Sequence, residues 1–220
     1  MAKPVKKVVD SWKSKKWYSI LAPNFLNNIE AAQVPALDDE TLMNRIIEIP
    51  LKEITKDLSH MYTTVRLRVA EIKGNKAYAK FIGHRIAREY LRTLIRRRRD
   101  VIEVVYPCTS KDGIEFRVKV MVVSQGKISQ EHKNQIRNVL GKEITELASS
   151  ADFGKFVQDV LYTRLNQGIH KKLHAIAPIR RVEIWKTELK EEFDTEKPGE
   201  ENAAEDKEAK PEKAVEAVVA

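Results

Sequence analysis

"YTTVRLRVAEIKGNKAYAKFIG", residues 62–83, decides the fold class. Two runs flank Lys73-Gly74-Asn75, a sequence suited to a tight turn between strands. In the first run Val65, Leu67 and Val69 share one face, and Thr64, Arg66 and Arg68 share the other. In the second, Ala77, Ala79 and Phe81 alternate with Lys76, Tyr78 and Lys80. A period of two marks half-buried strands, so the stretch predicts a hairpin with one apolar and one cationic face. "VIEVVYPCTSKDGIEFRVKVMVV" (101–123) repeats the plan around Lys111-Asp112-Gly113. There Ile114, Phe116, Val118, Val120 and Val122 oppose Glu115, Arg117 and Lys119.

Working outward, "NRIIEIPL" (44–51) predicts a short strand, which Pro50 confines to an edge or a strand end. "IRRVEIWKTEL" (179–189) predicts a last strand. Helical spacing predicts three helices, over 85–96, 129–149 and 152–175. The second carries Ile136, Val139, Leu140, Ile144 and Leu147 on one side. The third turns Phe153, Phe156, Val157, Val160, Leu161 and Leu165 inward; Gly168 is the expected point of a kink or split, and Pro178 stops it. The expected class is α+β: antiparallel hairpins forming a sheet or a partly closed barrel, with about three packed helices.

The chain has 220 residues, enough for one core, with formal net charge +8 and 33% charged residues. No stretch approaches the ~18 apolar residues of a membrane helix, and "MAKPVKKVVD" has no apolar segment of the kind a secretory leader needs. Cys108 is the single cysteine, read as a buried or half-buried strand residue in a reducing cytoplasm. The charge is divided. From Glu188 to the end stand 12 acidic and 5 basic residues. Residues 195–220 hold no aromatic side chain, which predicts a disordered acidic tail. Residues 1–16 carry Lys3, Lys6, Lys7, Lys13, Lys15 and Lys16 against Asp10, a basic arm. Residues 17–194 are the expected single folded body.

"LRTLIRRRRDVIEV" (91–104) packs four arginines together. At about 100° per residue, Arg85, Arg88, Arg92, Arg96 and Arg99 form one helical stripe opposite Ile86, Ala87, Tyr90, Leu91 and Leu94. Arg97 and Arg98 would fall toward the apolar side, so the helix is expected to stop near Arg96 and the rest to fan out in a turn. A solvated helix face is one reading, but such faces usually mix both signs. A polyanion that neutralises the self-repulsion is the other, because the guanidinium fork matches phosphate oxygens in pairs. A membrane surface fits less well without exposed apolar anchors. Arg66, Arg68, Lys76, Lys80, Arg117 and Lys119 extend the cationic surface if the hairpins share a sheet. Tyr78 could stack on a base there or lie against lysine stems. The aromatic glycine-rich strand signature of the common RNA-recognition module is absent, which points to phosphate and shape contacts.

No phosphate-loop, dinucleotide, nucleophile-elbow or zinc-protease motif occurs. His170 and His174 have a metal-compatible spacing, but no third ligand is evident and lysines surround them. Asp100, Asp112 and Glu115 are near in sequence, and Asp112 already serves a turn. No catalytic residue, metal, cofactor or small-molecule substrate is expected.

"KKWYSILAPNFLNN" (15–28) resembles the opening signature of the small-subunit ribosomal protein family shared by archaea and eukaryotes, called e-S-one or S-three-A-e. "NRIIEIPLKEI", the arginines at 96–99, "TSKDGIEFRVKV" and the closing "IAPIRRVEIWKTELKEEFD" extend the similarity over nearly the whole body. Asn44 stands where the family tends to have glycine, and its Gly-x-Thr is missing around Ile29–Gln33. The length and acidic tail look archaeal. The resemblance implies a non-catalytic constituent of the small subunit, in the cytoplasm, on the platform near the mRNA exit side. Its implied partners are small-subunit rRNA, neighbouring ribosomal proteins and mRNA near the exit. The arm would follow rRNA through Lys6, Lys7, Lys13, Lys15 and Lys16, with Trp17 either anchoring its base or sitting in the core. The Arg85–Arg99 stripe would hold further phosphates. An RNA-binding protein or RNA chaperone acting off the ribosome is the alternative, and a nucleic-acid enzyme with an unseen site a third.

Overall fold

The computed structural model describes residues 12–190. Lys3, Lys6 and Lys7 of the basic arm and the acidic tail lie outside the described residues. The element order is β1 (Lys16–Leu21), a 3-10 turn (Asn24–Leu26), β2 (Glu30–Ala36), α1 (Asp39–Leu42), β3 (Ile46–Pro50), α2 (Leu51–Thr55) and a 3-10 turn (Leu58–His60). There follow β4 (Thr63–Lys73), β5 (Lys76–Ile86), α3 (Arg88–Leu94), β6 (Val101–Thr109), β7 (Glu115–Ser124), α4 (Gln130–Ser150), α5 (Phe153–Leu161), α6 (Arg164–His174) and β8 (Ile179–Leu189).

The class is α+β. All eight strands belong to one open sheet, ordered β2-β1-β5-β8-β7-β6, with β4 on the other side of β5 and β3 outside β4. Both predicted hairpins are present and antiparallel. β3 pairs only with β4, so Pro50 ends an edge strand. The sheet is mixed, because β1 runs parallel to β5. One flank of β5 serves two strands: Lys76–Tyr78 face β1, and Gly83–Arg85 face β8. At Gly83 a Cβ would stand 2.1 Å from the Thr187 carbonyl oxygen, so only glycine allows this approach.

Two expectations are corrected. Arg85 and Ile86 belong to β5, not to a helix, because Thr63–Ile86 and Thr64–Arg85 extend the ladder with β4. α3 therefore spans only Arg88–Leu94. The predicted helix over 152–175 divides at Tyr162-Thr163 rather than at Gly168; Thr163 takes a left-handed φ of 58°. With one-turn α1 and α2 there are six helices among the described residues, where about three were expected. The strands β1 and β2 were not anticipated.

The inner face of the sheet holds two apolar clusters. One gathers Tyr18, Ile20, Leu42, Leu51, Val65, Leu67 and Val69. The other gathers Ile102, Phe116, Val118, Val120, Ile136, Leu140, Ile144 and Leu173. α5 joins them: Val157 and Leu161 enter the first, Phe156 and Val160 the second. Ring contacts run from Phe25 to Phe81 (5.8 Å), Phe153 (6.0 Å), Phe116 (5.5 Å) and Phe156 (5.1 Å). α3 packs elsewhere. Its Tyr90, Leu91 and Leu94 cover Met121, Val123 and Trp185, which project from the outer face.

Candidate nucleic-acid interface

The outer face of the sheet gathers most of the predicted cations. On β4, Arg66 and Arg68 alternate with buried Val65, Leu67 and Val69. Across the ladder, Arg68 lies opposite Lys80 and Thr64 opposite Arg85. Arg85 lies opposite Lys186, and Lys186 opposite Lys119. Arg85, Lys186 and Lys119 thus form a row across β5, β8 and β7, with Arg117 on the same face of β7. Like charges placed opposite one another destabilise a sheet. Two carboxylates temper the repulsion. Glu48 is 3.2 Å from Arg66 and 4.0 Å from Arg85. Glu188 is 3.0 Å from Lys119 and also pairs with Lys186. Burial works against its charged form, yet hydrogen bonds from these lysines hold its carboxyl below the ordinary value. Four cations share two carboxylates.

The helical stripe from Arg85 to Arg99 does not exist as one helix face. Arg88 and Arg92 project from α3, Arg85 from β5, and Arg96, Arg97 and Arg98 are exposed in the turn before β6. This turn is the expected fan, beginning at Ile95 because Leu94 is the last buried residue of α3. Arg98 takes a left-handed φ of 66°. Arg99 is half-buried, and its Nη1 is buried without a hydrogen-bond partner among the described residues. Asp100, next to the run, is committed elsewhere. It accepts from the Ile128 N–H at 2.9 Å and contacts Lys133 at 3.0 Å, which lowers its pKa. Asp112 accepts from the Phe153 N–H, and Glu115 pairs with Lys190. The three carboxylates therefore have separate structural partners.

Trp17 is 57% exposed, which rules out the core reading. It lies on β1 on the side away from buried Tyr18 and Ile20. Lys16 starts β1. Lys13 lies in the preceding turn, and Lys15 Nζ sits 4.5 Å from the Trp12 ring centre. Tyr78 is exposed beside Lys73, whose Nζ is 5.2 Å from the ring centre. Cys108 is buried in β6, and burial pushes its thiol up to about 11, which suits an inert side chain. The His170 and His174 ring centres are 5.8 Å apart. No cluster of three metal-ligating side chains occurs among the described residues, and no helix among them is long and apolar enough to cross a membrane.

Sequence reasoning missed Lys186, whose place opposite Arg85 depends on the long-range β5–β8 pairing. It also missed Tyr62, 43% exposed and stacked on Tyr90 with ring centres 4.8 Å apart.

Fold and face together define a basic α+β protein with a cationic outer sheet face. The particular family follows from the sequence. Residues 3–192 match the Ribosomal S3Ae family, and the chain belongs to it. Proteins named small ribosomal subunit protein eS1 from Desulfurococcus amylolyticus and Saccharolobus islandicus are each 35% identical over 182 residues. These residues make up 83% of this chain and 85% and 88% of the two relatives. The protein of the same name from Sulfurisphaera tokodaii is 33% identical over 182 residues, 94% of its length.

Proposed function

We propose that the protein is a structural constituent of the small ribosomal subunit, held there by cation–phosphate contacts with rRNA. The observation that carries this reading is the row Arg85–Lys186–Lys119, continued by Arg66, Arg68, Lys80 and Arg117. A row of cations on adjacent strands opposes folding by itself and gains from a polyanion that releases counterions on binding. Arg88, Arg92 and Arg96–Arg99 add a second cluster beside it. Neighbouring ribosomal proteins are partners of the same assembly, in the cytoplasm. The finer placement is the platform by the mRNA exit side, with mRNA within reach. Residues 17–194 act as one rRNA-binding domain. The arm of residues 1–16 follows RNA through Lys6, Lys7, Lys13, Lys15 and Lys16, with Trp17 at its base offering a face for stacking. Residues 195–220 are acidic in sequence and lie outside the part assigned to RNA binding.

Sucrose-gradient fractionation of cells tests the reading. The protein should co-sediment with small subunits and stay there through a moderate-salt wash. Recovery in the light fractions alone, with RNA binding intact, would instead support an RNA-binding protein acting off the ribosome.

A further inference from the structure

A cleft of about 480 Å³ opens between α6 and the stretch Arg180–Glu183 of β8, which lies beyond the residues of β8 that pair with β5. Its floor is polar and buried: Glu183 is 4% exposed and Asn166 8%. Glu183 Oε1 accepts from Arg181 Nε at 2.7 Å and from the Tyr90 hydroxyl at 3.4 Å. Its Oε2 accepts from Asn166 Nδ2 at 3.0 Å. That bond fixes the amide orientation, since the flipped amide would set two acceptors against each other. Asn166 Oδ1 is left buried without a hydrogen-bond partner among the described residues. Buried polar atoms of this kind are rare and costly. The rim is cationic: Lys171, Arg180 and Arg181 line it with His170.

The floor is short of donors, and the rim is short of anions. We propose that this cleft receives a single unpaired guanosine of an RNA strand. Guanine carries two donors side by side on its Watson–Crick edge, N1–H and the N2 amino group. One meets the second lone pair of Glu183 Oε2, and the other meets Asn166 Oδ1 once that buried side chain shifts toward the cleft. Lys171 and Arg180 take the flanking phosphates. Adenine and cytosine offer one amino donor beside an acceptor, which would oppose the carboxylate. An acidic peptide would suit the rim but would place further acceptors over a floor of acceptors. The inference rests on the RNA-binding reading above and adds a base-reading site to it.

The test uses the full chain and labelled uridine hexamers with guanosine, inosine or adenosine at one central position. The guanosine oligomer should bind roughly tenfold or more tightly than the adenosine one. Inosine, which lacks the N2 amino group, should fall between. Glu183→Gln should remove the preference. Should that variant fail to fold, Asn166→Ser serves, expected to reduce the guanosine advantage over inosine. Arg180→Gln with Lys171→Gln should weaken all three oligomers alike. Equal binding of the three oligomers by the unaltered chain overturns the guanosine site while leaving RNA binding standing. Displacement of the guanosine oligomer by a poly-glutamate peptide that holds the cleft more tightly also overturns it. Failure of every oligomer and of structured RNA to bind overturns the proposed function as well.

Discussion

His84 shows how one side chain fixes a junction. It is fully buried, with Nδ1 accepting from the Thr187 hydroxyl at 2.7 Å and Nε2 donating to the Ile184 carbonyl at 3.0 Å. Burial depresses its pKa to about 4, and the Ile184 bond opposes this without overcoming it. The folded protein therefore holds a neutral ring where the unfolded chain takes up a proton near pH 6.5. Stability from this residue is present above about pH 6.5 and is lost as pH falls toward 4, by up to about 3 kcal/mol. Thermal melts between pH 7 and pH 4.5 should show a falling midpoint, and a His84→Gln variant should flatten much of that slope. An unchanged slope in the variant would assign the pH dependence to other groups. Nothing in the local sequence "FIGHRI" marks His84 as neutral and buried; its partners lie about a hundred residues away. Asn44 was legible in part. It stands where relatives are expected to have glycine and holds the left-handed φ of 59° that asparagine tolerates.

Among elements, strands with strict alternation were readable and short or interrupted ones were not. Val65, Leu67, Val69 and Phe116, Val118, Val120 occupy the predicted inner face because a period of two leaves little freedom of register. β1 is only six residues long, and β2, "EAAQVPA", is alanine-rich and broken by Pro35. Such a segment has weak strand character until β1 pairs with it. The start of α3 was misplaced because Arg85 and Ile86 fit a helical repeat and a strand alternation equally well, and the ladder to β4 decides. Thr163 divides α5 from α6 without a glycine or proline to announce it. The β5–β8 seam gives the element-level prediction. Gly83→Ala drives a methyl group into the Thr187 carbonyl, so the seam must open. Overpacking of this kind costs about 1–3 kcal/mol or more. Urea titration should show a lower midpoint, and hydrogen exchange should quicken in residues 83–85 and 186–188 ahead of the rest. Exchange that quickens evenly would show that the seam has no local role.

For the whole molecule, the cationic face was legible as two separate faces but not as one. Each hairpin announced its own polar side, whereas their union depends on β8 lying between them. The salt response of RNA binding reads the assembled surface. With eight phosphates contacted on single-stranded RNA, log affinity should fall against log salt with a slope of roughly −6. Replacing Arg96, Arg97, Arg98 and Arg99 by glutamine should leave the thermal midpoint nearly unchanged and make that slope shallower by up to about 3. An identical slope would show the run to be plain surface. β8 closes the described body, and β5 cannot complete its second flank until residues 186–188 arrive. A ribosome making this chain must therefore release residues 186–188 before the row through Arg85 exists. Until then the nascent polypeptide can offer RNA the cations of its two hairpins only separately, and the continuous row appears when β8 docks between them.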